Sequence, residues 1–194
     1  MPMKFSTPTK KLAYEYIAKW KKDLILVRNN EALDKLFKKI YPNNTDIKEV
    51  LTKVLPLNSL FSARVRDKDI QKVAETIASF PNIDTRLKKG DLTLVNDLCN
   101  AFEKAGLLRY QSFASKYCAF HNPQAFPPYD HFVRNVLQQY CRQGVLKSIR
   151  ITALDDYDVY VSALQQIKTN YEISCDFREL DHWLWLMGKG VQLP

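Results

Sequence analysis

The chain has 194 residues, 46% hydrophobic and 26% charged, with five glycines and a formal net charge of +8. That length allows one sizeable core or two small lobes round a groove but not several independent domains, and so few glycines argue against an all-β fold built from tight turns. The positive balance suits a protein that meets phosphates and equally one that is merely well solvated, so charge alone assigns no chemistry.

From Thr9 to about Val27, Leu12, Tyr16, Ile17, Trp20, Leu24 and Val27 recur at three- and four-residue steps, which describes an amphipathic helix. A second helix is expected over Glu31 to Ile40, stopping at Tyr41-Pro42 because proline restricts the residue before it. Asp46 and Glu49 form a capping box for a third, and the apolar run Leu51 to Leu60 reads as a core helix with Pro56 as kink or boundary. After the polar junction Arg64-Val65-Arg66, Asp67 caps a helix carrying Ile70, Val73, Ala74 and Ile77 inward, ended by Pro81-Asn82.

Another helix runs from Asp91 to about Lys104, with Gly106 where a helix end favours a left-handed residue. The Lys116 segment follows, then a helix from Asp130 to about Gln143. Val145 to Ala153 reads as an extended connector, Asp155 or Asp156 caps a helix to about Lys168, and Asp176 caps the last, Phe177 to Met187, with Trp183 inward and Trp185 packing a neighbouring lobe. The reading is all-α: about ten short helices in two lobes, approximately 46–122 and 1–45 plus 123–194.

Cys99, Cys118, Cys141 and Cys175 show no paired spacing, so neither zinc nor an iron–sulfur cluster is indicated, no cofactor is expected, and the thiols read as reduced. The start Met1-Pro2-Met3-Lys4-Phe5 lacks the apolar core of a secretory signal, and no run of 18 apolar residues crosses a bilayer. A soluble cytoplasmic protein without a membrane partner, monomeric by default, is the expectation. His121 and His131 flank the Lys116–Asp130 stretch with no metal-ligand spacing and receive no role.

Two segments carry chemistry. The first is Phe61-Ser62-Ala63-Arg64-Val65-Arg66-Asp67-Lys68; the second runs from Tyr110-Gln111-Ser112-Phe113-Ala114-Ser115-Lys116 through Pro127-Pro128-Tyr129-Asp130-His131-Phe132-Val133-Arg134. On spacing alone Lys116 snorkels at the edge of an apolar segment and Asp130 is a helix N-cap. Together, and in this order, the segments resemble the helix-hairpin-helix superfamily of DNA glycosylases. The first is similar to that family's Leu-Ser-x-Gln-x-x-Asp-Lys pattern, the second to its Leu-Pro-Gly-x-Gly-x-Lys hairpin followed by apolar-Pro-x-Asp-x-x-Val-x-Arg.

The resemblance implies an all-helical enzyme that extrudes a damaged nucleotide and cuts its base from the sugar. Lys116 falls at the nucleophile position, where a neutral amine attacks C1′, and Asp130 at the acid that offsets the sugar cation and takes up the amine proton. Arg64 stands where a side chain wedges into the base stack. Arg66, Lys68, Ser112, Ser115 and Arg134 are the implied DNA contacts, and Tyr117, Phe120 and Tyr129 the rings that stack on the extruded base. Ser112 and Ala114 replace the two hairpin glycines, the Lys-to-Asp interval is a few residues short, and the four-cysteine cluster pattern is absent. A non-catalytic DNA-binding or protein-interaction module on the same helical scaffold is the alternative.

Overall fold

The computed structural model describes residues 5–193; residues 1–4, part of the stretch read above as lacking a signal, and residue 194 lie outside them. The chain is all-α: α1 (Lys10–Lys21), α2 (Leu24–Lys35), α3 (Ile47–Leu60), α4 (Ile70–Ala78), α5 (Ile83–Lys89), α6 (Thr93–Lys104), α7 (Gln111–His121), α8 (His131–Arg142), α9 (Tyr157–Asn170) and α10 (Phe177–Gly188), with no strand among the described residues. None of these helices is long and apolar enough to cross a membrane.

Local chemistry sets the boundaries. The helix expected over 9–27 is two, because the Asp23 carboxylate accepts the amides of Ile25 and Leu26 and so opens α2 after a break. The helices expected around Asp46 and Leu51 are one, capped by Asp46 through the amides of Lys48 and Glu49, with Pro56 inside it. A π-helical turn, Leu36–Ile40, extends α2 and ends at Tyr41 before Pro42. Within the expected connector, Ile151–Asp155 forms a 3-10 turn, and Asp156 is the cap of α9.

The helices divide into two compact units. The terminal unit, Met1–Val27 with Tyr129–Pro194, packs α10 against α1 and α8. Trp183 is fully buried there, and Trp20 stacks on His182 with centroids 3.5 Å apart. Trp185, expected against another lobe, meets Phe132 of its own unit edge-on. Gly188 allows that contact: a Cβ on it would lie 2.6 Å from the Phe132 carbonyl oxygen.

The middle unit, Arg28–Pro128, packs α3 against α4 and α7, and α6 against α7. It reaches further back than the lobe expected from residue 46, because the π-helical turn delivers Phe37 onto Tyr117, Phe120 and His121. Its heart is α7, whose residues Phe113 to Phe120 are all buried, as a helix at the centre of a bundle must be. All four cysteines are free, Cys99 and Cys118 without any exposure.

Candidate functional site

Lys116 sits in this sealed helix at 6% exposure, a rare place for a lysine. Its amine donates to the Ser112 hydroxyl at 2.7 Å, one turn earlier on α7. Ser112 thus holds the lysine from within the same helix. Before α7 the chain leaves α6 through the left-handed Gly106 (φ 77°) and turns at Tyr110.

Tyr110 ties the two motif segments together. Its hydroxyl donates to the Asp69 carboxylate and lies 3.2 Å from the Arg66 Nε, which itself donates to Asp69 at 2.6 Å. The Tyr110 and Arg66 bonds hold the Asp69 carboxyl below its usual range, and burial raises the Tyr110 phenol. Arg66, expected on DNA, is therefore committed to fixing the α3–α4 junction beside the α6–α7 turn.

Within that junction Ser62 and Arg64 both have positive φ, 46° and 64°, at a cost of roughly 1–2 kcal/mol for each side-chain-bearing residue. Ala63 and Val65 point inward and are buried, while Arg64 and Lys68 are exposed. The Asn58 amide grips Val65 twice, donating to its carbonyl at 2.9 Å and accepting its N–H at 2.9 Å.

Asp130 belongs to the terminal unit and caps α8, accepting the Phe132 amide at 2.9 Å. Beside it in sequence, Arg134 makes a two-point ion pair with Asp155, at 2.6 Å from Nε and 2.7 Å from Nη2, and Tyr129 donates to the same carboxylate at 3.0 Å. The Arg134 bond lowers the Asp155 carboxyl, and burial first, then Asp155, raises the Tyr129 phenol. The fork that the resemblance gives to a phosphate is occupied by this carboxylate. Tyr129 is half-buried with its ring on Tyr160 at 4.8 Å.

Three expected site residues are core residues instead. Ser115 is sealed and its hydroxyl donates to the Ser112 carbonyl at 3.1 Å, so it offers DNA nothing. The Tyr117 ring, without exposure, is enclosed by Phe37, Phe113 and His121, and Phe120 lies on Phe37 and Phe61, so neither presents a face to a base. Their positions are inward because α7 is enclosed on every side, which a short motif frame does not register.

What the motifs missed is a buried polar knot. Lys53, with no exposure, donates to the carbonyls of Tyr41 (3.0 Å) and Asn43 (2.7 Å) and to Asn44 Oδ1 (2.6 Å). Asn44 Oδ1 also accepts from the Tyr117 hydroxyl and lies 3.0 Å from His121 Nε2. The Asn44 amide nitrogen donates to Asp84 at 2.6 Å, which fixes the amide's orientation and so requires the His121 proton on Nε2. Burial lowers Lys53 to about 8 and, with the Lys53 and Lys38 charges, His121 to about 3. The sequence signal was Lys53 standing on the same helix face as Val50 and Leu57. Among the described residues no group of three or more His, Cys, Asp or Glu is placed to hold a metal ion.

A family profile, HI_0787_N, described as an N-terminal domain, matches residues 12–125. A Haemophilus influenzae protein bearing the name uncharacterized protein is 32% identical over 149 residues, which are 77% of this chain and 71% of that protein. No solved structure matches significantly.

Proposed function

For this chain, which belongs to the HI_0787_N family, we propose removal of a modified base from DNA, with Lys116 as nucleophile and Asp130 as its acid partner. The observation that carries the reading is the placement of Lys116. A lysine in a helix buried on every side costs stability, and it is met here by a hydroxyl one turn away, within the second helix of a helix–turn–helix whose turn is anchored to the α3–α4 junction.

In the proposed reaction the Lys116 amine lone pair bonds to C1′ as the glycosidic electron pair leaves with the base. Asp130 offsets the sugar's cationic charge and takes the amine proton. Opening of the C1′–O4′ bond then yields an imine between Lys116 and C1′. Borohydride reduces that imine to a stable amine, so it traps protein on DNA carrying an abasic site or an oxidised base. Trapping by wild type and none by Lys116→Met, with helical content retained, is the expected result. Equal trapping by Lys116→Met, or no trapping and no released base across abasic, oxidised and alkylated duplexes, overturns it.

One observation favours a second reading, a non-catalytic DNA-binding or protein-interaction module on the same helical scaffold: no glycine occupies the Ser112 or Ala114 positions, so backbone amides there cannot approach a phosphate closely enough to anchor a catalytic complex. That reading predicts salt-sensitive DNA affinity without base release.

A further inference from the structure

The Phe61–Arg66 loop is built to hold one conformation. α3 ends with the Phe61 amide on the Leu57 carbonyl and the Ala63 amide on the Asn58 carbonyl, a closure that places Ser62 in the left-handed region. Beyond it, Ala63 and Val65 are buried anchors on either side of Arg64, Val65 is gripped at both backbone atoms by the Asn58 side chain, and Arg66 is bonded to Asp69 and Tyr110. Arg64 is thereby forced to φ 64°, a conformation arginine rarely adopts unaided. Its own side chain is exposed, and its guanidinium has no hydrogen-bond or ion-pair partner among the described residues. Every constraint acts on its neighbours and none on its head group.

We propose that Asn58 is a positioning residue: its two-bond grip on Val65 holds Arg64 as a preformed wedge, ready to enter a duplex where a base is missing or extruded. The inference rests on the DNA reading above and adds what sets the wedge. An unclamped loop would relax Arg64 to negative φ, re-aiming its side chain, and would pay again to order it on the duplex. A preformed wedge makes that cost part of folding. The recognised feature is a gap in the base stack, not a base identity, because arginine fills space and stacks without reading a hydrogen-bond pattern.

The probe is a duplex carrying a tetrahydrofuran abasic analogue, which has no base to release, next to 2-aminopurine, whose fluorescence rises on unstacking. Wild type raises the fluorescence. Asn58→Ala lowers the rise at saturating protein by about fivefold or more, the population lost when a strained conformer is no longer held, and keeps affinity for intact duplex within about twofold, since phosphate contacts carry that. In an Arg64→Ala background, Asn58→Ala produces no further fluorescence change although its thermal destabilisation persists, a pattern that a merely structural asparagine does not give. Should Asn58→Ala fail to fold, Asn58→Asp carries the test, keeping acceptance from the Val65 amide and losing donation to its carbonyl.

Wild-type fluorescence matched by both Asn58 variants overturns the positioning role. So does an equal loss in the Arg64→Ala background, or a wild-type protein that traps DNA while the fluorescence stays flat. Failure of wild type to bind the tetrahydrofuran duplex, together with no borohydride trapping on a duplex with a natural abasic site or an oxidised base, removes the DNA reading itself, and this inference with it.

Discussion

The Lys53 ammonium lies 2.6 Å from the Asn44 amide oxygen at a point where neither residue has any exposed surface. Three acceptors surround that ammonium, so the charge is solvated by the protein in place of water. The knot joins the end of the π-helical turn, α3, α5 through Asp84 and α7 through Tyr117 and His121. It is the polar centre of the middle unit.

Replacing Lys53 with methionine leaves the Tyr41 and Asn43 carbonyls without their donor and is expected to cost about 2–4 kcal/mol at neutral pH, read by denaturant unfolding. The wild type also has an alkaline signature. Its folded-state pKa of about 8 lies below the ordinary 10.5, so between those values the folded state has released a proton that the unfolded state keeps. Burial penalises the charge, and wild type therefore recovers stability relative to Lys53→Met as pH rises from about 8 to 10.5. A constant difference between the two proteins over that window contradicts the assignment.

Acid acts through the histidines. His121 and His182 are both pulled down to about 3 from 6.5, chiefly by burial, so the unfolded chain binds protons that the folded chain refuses. Stability present above about pH 6.5 is lost as pH falls toward 3. His182 also has a buried Nδ1 without a hydrogen-bond partner among the described residues while its ring stacks on Trp20. His182→Phe keeps a ring over Trp20 and removes the orphan, so it is expected to gain about 1 kcal/mol at pH 7 and more at pH 5. Thermal melts at the two pH values decide it.

Gly188→Ala places a methyl 2.6 Å from the Phe132 carbonyl, against backbone that cannot swing aside as a flexible side chain does. Destabilisation of about 1–3 kcal/mol is expected. The displaced turn is the one that Asp130 caps, so, if Asp130 partners Lys116 as proposed, borohydride trapping falls as well. Loss of stability with trapping unchanged separates Asp130 from the chemistry.

Asp155→Asn releases the Arg134 fork from its internal carboxylate. If Arg134 meets a phosphate, duplex affinity rises at low salt and the slope of log affinity against log salt steepens by about one. Anisotropy titrations at several salt concentrations measure both. An unchanged slope removes Arg134 from the DNA-facing surface.

The all-α class and most helix ends were legible because caps and apolar spacing are local: Asp46, Asp130, Asp156 and Asp176 each cap a helix through their own carboxylates. Local signals failed where one residue outweighed a long periodicity, as Asp23 did in dividing α1 from α2. They failed also where a helix was short, as with α5, which buries only Ile83 and Leu87. Lys116 and Arg64 were picked out by their frame, and both occupy unusual settings, one buried and one left-handed. Tyr117 and Phe120 were misread because a motif records sequence order, whereas burial depends on how many neighbours surround a helix. The Lys53 knot was hidden for the same reason: its other members come from three separate stretches of chain, 41–44, Asp84 and 117–121.

The cysteines are distributed in a way that lets chemistry time the molecule. Burial pushes the Cys99 thiol up to about 12 and the Cys118 thiol higher still, and both are wholly enclosed in the middle unit, whereas Cys141 in the terminal unit is half-exposed. A sulfhydryl reagent therefore modifies Cys141 promptly and the other two only during transient openings of the bundle around them. The lag between the Cys141 adduct and those on Cys99 and Cys118, located by mass spectrometry and distinguished from Cys175, which is buried in the terminal unit, is a native stopwatch for breathing in residues 28–128, with no dye or engineered label.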